Sequence, residues 1–198
     1  MTESVAHKVL LLGPESAGKT GLIVRYTEKK FTNIFTKFFN TFTKTAEVDV
    51  NGKKMNIQFV RISTASELTE ETMSNVGGIM LVFDINETEN FGELINLRNE
   101  FFSKLPKTEF SENFPVVLVA NKCDDPETEY NVSNAVEQFT NEFKYHFFKV
   151  SAKTDSNITF MFHNLTEQMR KYEEAKKNED LPSDSLNRSN EGSKCNIY

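Results

Sequence analysis

Gly13-Pro14-Glu15-Ser16-Ala17-Gly18-Lys19-Thr20 closes the apolar run His7 to Leu12 (HKVLLL) and opens a segment with Leu22, Ile23 and Tyr26 on one helical face. The octet is a complete phosphate-binding pattern, G-x-x-x-x-G-K-[ST]. A Gly-rich turn between strand and helix aims several backbone N–H groups at one point, and the helix N-terminus adds partial positive charge there. Gly13 and Gly18 permit close backbone approach, with Glu15, Ser16 and Ala17 forming the loop between them. Lys19 is placed to reach β- and γ-phosphates, and Thr20 to set its hydroxyl on Mg²⁺. A helix-initiating turn that merely happens to hold Lys and Thr is the bland alternative, and it leaves the strand-to-helix position unexplained.

Outward from the loop, apolar periodicity alternates strand with helix. Lys44 to Val50 and Lys53 to Ile62 flank Asn51-Gly52, a strong hairpin signal. Gly78 to Asp84 (GIMLVFD), Val116 to Ala120 and His146 to Val150 read as buried strands. Helices are expected over Phe91 to Leu105, after Ser133 as an N-cap, and over Asn157 to Tyr172. Residues 31–43 and 63–76 read as loops, the second with a weak helical option. The predicted fold is α/β: a doubly wound, mostly parallel sheet of about six strands with one antiparallel edge strand. Residues 1–172 are expected to form one domain. From Glu173 the chain turns charged and rich in Ser and Asn, so 173–198 reads as a disordered tail.

Two further motifs fall at the carboxyl ends of predicted strands, where open parallel sheets bind ligands. Asn121-Lys122-Cys123-Asp124 follows one, and Ser151-Ala152-Lys153 follows another. Guanine offers an N1–H and an exocyclic amine side by side, and one carboxylate, Asp124, accepts both. Adenine has no such pair, and an unpaired buried carboxylate is costly. Asn121 is expected to tie the loops together, the stem of Lys122 to cover one face of the base, and Ala152 to present its backbone N–H to the guanine oxygen. Asp124 and Ala152 argue against an ATP-using kinase or ATPase. The expected ligand is a guanine nucleotide, GTP or GDP, with Mg²⁺.

Composition sets the outer limits. The 198 residues carry a formal charge of −6, with 38% hydrophobic and 26% charged residues, which fits one soluble domain and no nucleic-acid partner. No stretch reaches the roughly 18 apolar residues of a membrane span. The first residues carry neither a signal-peptide pattern nor a myristoylation glycine. Cys123 and Cys195 are the only cysteines and make no disulfide framework, so the expected setting is the reducing cytoplasm and the expected state a monomer. The 18 Phe residues, with no Trp, point to a Phe-filled core.

GPESAGKT, GIMLVFDINETENF, NKCD and SAKT together resemble the Ras superfamily of small GTP-binding proteins, over residues 7 to about 172. The segment from Gly78 to Phe91 is similar to Rab and Ras members, while the phosphate loop with Glu15 and Ala17 is similar to the Arf branch. The resemblance implies GTP/GDP and Mg²⁺ as ligands and a role in signalling or vesicle traffic. By spacing, Phe31 matches the aromatic residue that packs edge-on against guanine in the family; an ordinary core Phe is the equal alternative.

The resemblance also shows what is missing. At the place of the family's switch Thr stands Phe38, with Thr36 and Thr41 near but out of register. The family then carries Asp-x-x-Gly-Gln after the third strand. Aligned on Thr64-Ala65, this chain has Ser63, Ser66 and Glu67; aligned on spacing from Gly52, it has Arg61 at the Asp position. No catalytic residue is therefore assigned. Weak hydrolysis is expected, because the Gln that would hold the attacking water and the contacts that sense the γ-phosphate are lost. A pseudo-GTPase, holding nucleotide as a binding module without cycling, is the second reading. Cys195-Asn196-Ile197-Tyr198 has the C-a-a-X frame of prenylation but atypical residues and no polybasic neighbour, so membrane association through Cys195 and a plain thiol both stay open.

Overall fold

The computed structural model describes residues 7–31, 42–50, 52–106, 113–125 and 133–179. Eleven regular elements alternate along them: β1 (His7–Leu12), α1 (Lys19–Glu28), β2 (Thr43–Val50), β3 (Lys53–Ile62), α2 (Glu70–Met73), β4 (Val76–Asp84), α3 (Phe91–Lys104), β5 (Val116–Asn121), α4 (Asn134–Phe143), β6 (His146–Lys149) and α5 (Ile158–Glu179). The strands form one six-stranded sheet in the order β2-β3-β1-β4-β5-β6. β2 runs antiparallel to β3 at one edge, and every other pairing is parallel. This is the doubly wound fold expected from the sequence, with Val50 and Lys53 paired antiparallel across the expected hairpin.

Side-chain alternation builds the two layers. Val9 and Leu11 of β1 join Leu22, Ile23 and Tyr26 of α1 and Ile158, Phe162 and Leu165 of α5 on one face. Leu10 and Leu12 join Leu94 and Phe101 of α3 and Val136 and Phe139 of α4 on the other. Both faces of β1 are thus covered, which is why HKVLLL reads as a continuous apolar run rather than an alternating one. Phenylalanines fill both layers: Phe162 stacks on Tyr26 and meets Phe59 edge-on, while Phe91 meets Phe83 and Phe139 edge-on.

The structure refines two local readings and corrects a third. The segment 63–76 is ordered into a 3₁₀ turn, Ala65–Glu67, followed by α2. Ser133 does precede α4, but its side chain makes no capping bond and its buried Oγ lacks a partner among the described residues. The last helix does not stop at Tyr172; it continues to Glu179. Composition suggested a tail there because the added turns are charged, and the charges are what hold them. Arg170 pairs with Glu167 and Glu174, His7 of β1 with Glu173 at 2.8 Å, and Lys53 of β3 with Glu174 at 3.2 Å. Tyr172 packs edge-on against Phe114. No helix of the described residues is long and apolar enough to cross a membrane. Phe38, Thr36, Thr41 and Cys195 lie outside the described residues.

Candidate nucleotide site

The loop after β1 leaves the sheet between β3 and β4. Gly13 donates its N–H to the carbonyl of Ile62 at 3.3 Å, and a Cβ at this position would lie 1.9 Å from the carbonyl oxygen of Val82. Only glycine lets the loop pass. Gly18 holds a left-handed φ of +80° just before α1. A Cβ there would lie 2.5 Å from Asn121 Nδ2 and 3.8 Å from Lys122 Cε. Glu15 and Ser16 are exposed, and Ala17 is buried. Ser16 Oγ donates to Glu87 Oε2 at 2.7 Å, bracing the loop against the segment after β4.

Lys19 is fully buried, at 1% exposure. Its ammonium donates back to the carbonyls of Gly13 at 2.7 Å and Pro14 at 2.6 Å. Burial first, and the nearby Arg61 guanidinium second, pull its pKa down from 10.5 to about 7; Glu67 and Glu15 oppose the shift. Thr20 lies beside Lys19 in the first turn of α1, partly buried.

The base-reading motifs converge on the same end of the sheet. Asn121, 1% exposed at the end of β5, donates through Nδ2 to the Ala17 carbonyl at 2.9 Å. Its Oδ1 accepts from Ala152 N–H at 3.3 Å. One side chain therefore bridges the phosphate loop and the Ser-Ala-Lys loop, the tie expected of it. Asp124 accepts from Lys153 Nζ at 2.8 Å and Ser151 Oγ at 3.4 Å. Its carboxylate is thereby aimed, and the ion pair raises the Lys153 pKa. Lys122 sits at a positive φ of 66°, and its ammonium reaches the buried Asp84 at 2.7 Å. Phe31 packs partly buried against the α1 and α5 core layer, with the Arg25 guanidinium 5.7 Å from its ring centre.

Two organising residues escape sequence reading. Asp84, 5% exposed at the end of β4, anchors Lys122 and accepts from Asn86 N–H and Nδ2 at 3.0 and 3.1 Å. An acid closing the run GIMLVFD was the available signal. Arg25 of α1 donates from Nε to the Ala152 carbonyl at 2.6 Å and from its terminal nitrogen to the Lys153 carbonyl at 2.8 Å. No motif marks it. We expect Arg25→Ala to leave the fold intact and speed guanine-nucleotide release by about tenfold, because two charge-assisted bonds to the Ser-Ala-Lys loop are lost. Stopped-flow release of a fluorescent GDP checks this, and an unchanged rate would refute it.

The segment after β3, where the resemblance places Asp-x-x-Gly-Gln, is held in place by its own backbone. β3 ends with Ile62 opposite Leu12, so Ser63 is the first residue beyond the strand and Arg61 lies inside it, opposite Leu11. The Ser63 Oγ is buried without a hydrogen-bond partner among the described residues. Thr64 and Glu67 form a capping box: the Glu67 carboxylate accepts from Ser63 N–H at 2.5 Å and Thr64 N–H at 3.0 Å. Glu67 is thus committed to the backbone, not directed at a water. Of the residues expected to attend Mg²⁺, Thr20 lies among those described. Thr20 offers one hydroxyl, Ser63 stands in place of a carboxylate, Arg61 brings positive charge, and no three His, Cys, Asp or Glu side chains of the described residues gather to hold a metal.

Comparison with known proteins agrees with this geometry. The family model described as "Ras family" matches residues 8–171. The chain is 30% identical over 169 residues to "GTP-binding protein yptV5" of Volvox carteri, covering 80% of each protein. It is 30% identical over 164 residues to "Ras-related protein Rab-13" of Canis lupus familiaris, covering 80% of this chain and 77% of that protein. It is 26% identical over 174 residues to "Ras-related protein R-Ras" of Mus musculus, covering 85% and 76%. With the strand order, the phosphate loop and the family match in agreement, the chain belongs to the Ras family of small GTP-binding proteins.

Proposed function

We propose that this protein binds GDP and GTP selectively at the loops 13–20, 121–124 and 151–153, and acts as a Ras- or Rab-type small GTPase in signalling or vesicle traffic with weak hydrolysis. The observation that carries the reading is the Asn121 bridge from Ala17 to Ala152, which couples phosphate recognition to base recognition in one buried side chain. In this reading Gly13, Glu15, Ser16, Ala17 and Gly18 form the phosphate cradle, and Lys19 and Thr20 attend the phosphates. Asn121, Lys122, Asp124, Ser151, Ala152 and Lys153 hold the base, with Phe31 at its edge. The nucleotide-binding unit spans the described fold, and Cys195 is the candidate lipid attachment.

Asp124 supplies the test. On GDP binding its carboxylate turns from the Lys153 ammonium and the Ser151 hydroxyl toward the two guanine donors. Asp124→Asn is expected to weaken GDP by about 100-fold and raise relative affinity for xanthine nucleotide, whose ring offers an acceptor where guanine has an amine. Titration with fluorescent GDP, XDP and ADP measures it. Equal binding of ADP by the unaltered protein, or an unchanged GDP affinity in the variant, would sink the proposal. The second reading, a pseudo-GTPase that holds nucleotide without cycling, is favoured by the engagement of Glu67 in its capping box. Single-turnover GTP hydrolysis separates the two.

A further inference from the structure

We infer that Asp84 is a positioning residue for the nucleotide: by pinning the ammonium of Lys122 it fixes the lysine stem that covers the base and lengthens the lifetime of bound GDP. The inference rests on the guanine-nucleotide reading of the site and adds a residue that lies in none of the three loops.

The path of Lys122 is fixed at both ends. Asp84 closes β4 in register with Asn121 of β5, so the anchor and the lysine leave neighbouring strand ends. Lys122 holds a left-handed φ of 66°, which turns the chain sharply after β5. Its Cε then passes the phosphate loop, 3.8 Å from where a Cβ on Gly18 would stand. Its ammonium ends on Asp84 Oδ2 at 2.7 Å. The other oxygen of Asp84 accepts from Asn86 N–H and Nδ2 at 3.0 and 3.1 Å, and Ile85 donates its N–H to the Asn121 carbonyl at 3.1 Å. The anchor is therefore tied to both strand ends.

Burial explains why the pair stays together. Asp84 is 5% exposed, and a buried carboxylate without a counter-ion is strongly disfavoured. The Lys122 side chain is 41% exposed, so its stem lies open to a ligand while its head is engaged. An unpinned lysine stem samples many rotamers, and ordering it on binding is costly. Pinned beforehand, it meets the face of the base with little further loss of freedom, which is how preorganisation raises affinity. The same turn reaches the phosphate loop, where Glu87 accepts from Ser16 Oγ at 2.7 Å. The connection from β4 to α3 thus touches both loops that hold the ligand.

Release of a fluorescent GDP from the full chain tests this. Asp84→Asn keeps the shape and the oxygen to which Asn86 donates, and removes the charge that holds Lys122. It is expected to speed release by about tenfold, and an unchanged or slower rate in a folded variant, checked by circular dichroism, overturns the inference. Lys122→Met leaves the carboxylate unpaired; it should speed release by a similar factor and lower the melting temperature by about 2–4 °C. Both changes break one tie, so the double variant should release no faster than the quicker single and regain most of the lost melting temperature. Effects that multiply, to about 100-fold, would show that Asp84 does not act through Lys122 and also overturn it. IDP lacks the exocyclic amine that Asp124 reads, so the preference for GDP over IDP reports on the base edge alone. That preference should stay within about twofold in Asp84→Asn; its collapse would mean that Asp84 only steadies the Asp124 loop, against the inference. If Asp84→Asn does not fold, Lys122→Met decides, and unchanged release from it overturns the inference. Failure of the unaltered chain to bind GDP would instead refute the guanine-nucleotide reading itself, so the two failures are told apart.

Discussion

Lys19→Met is expected to abolish useful nucleotide binding and, at the same time, to make the empty protein more stable. The first effect follows from the loss of a buried cation facing the phosphates, on the order of 100-fold or more in affinity. The second follows from what that cation costs when no anion is present. Its pKa falls from 10.5 to about 7 in the fold, chiefly through burial, a shift equivalent to roughly 5 kcal/mol of disfavoured charge. Met fills a similar volume. Two carbonyls, Gly13 and Pro14, lose a donor, which takes back about 1–3 kcal/mol. The net gain should raise the melting temperature of the nucleotide-free protein by about 2–8 °C. Calorimetric melting of the empty variant beside the unaltered chain measures it, and a lower melting temperature would show that Lys19 already has its counter-charge.

The same lysine sets a pH signature. Below pH 7 both folded and unfolded chains hold the proton and the burial penalty is complete. Between about 7 and 10.5 the unfolded chain holds more protons than the folded one, so stability of the empty protein rises with pH across that window. Bound phosphate returns the proton to Lys19, so GDP binding near pH 8 should take up protons. Titration calorimetry in buffers of different ionisation enthalpy reads that uptake directly.

The second large effect concerns turnover. GTP hydrolysis should run close to the uncatalysed rate, and the GDP and GTP forms should protect the segments 31–43 and 63–76 alike in hydrogen exchange. Loss of one transition-state contact of this kind costs roughly 3–4 kcal/mol, or about 10²–10³ in rate, and the intact intrinsic reaction in Ras is itself only on the order of 10⁻⁴ s⁻¹. Here Glu67 is spent on the backbone N–H groups of Ser63 and Thr64. Replacing it with Gln alone should therefore loosen the 3₁₀ turn without restoring rate. Ser63→Asp, Ser66→Gly and Glu67→Gln together should recover measurable hydrolysis only with Phe38→Thr. Rapid hydrolysis by the unaltered chain, with GTP-specific protection of both segments, would mean that an ordinary switch survives.

Which parts of this were legible beforehand follows from the range of the interactions. Strands β1, β4 and β5 announce themselves because burial on both faces demands unbroken apolar runs. Asn121 could be read as a tie because its motif fixes both spacing and strand end. Arg25 could not, since its partners are the carbonyls of Ala152 and Lys153, far along the chain and nameless in sequence. The end of α5 was misjudged for a related reason: its last turns are secured by Lys53 and His7 from distant strands. Glu67 stood out as a replaced glutamine, yet its capping role depended on Thr64 starting a turn, which a polar stretch does not advertise.

The pairings of His7 with Glu173 and of Lys53 with Glu174 place the start of β1, the start of β3 and the far turns of α5 together. Parallel strands put that cluster at the pole opposite the nucleotide loops, which all follow strand ends. The protein therefore has a handle and a reading head. A surface, a label or a fusion partner joined near the handle leaves the loops facing outward, free to meet nucleotide and whatever inspects it.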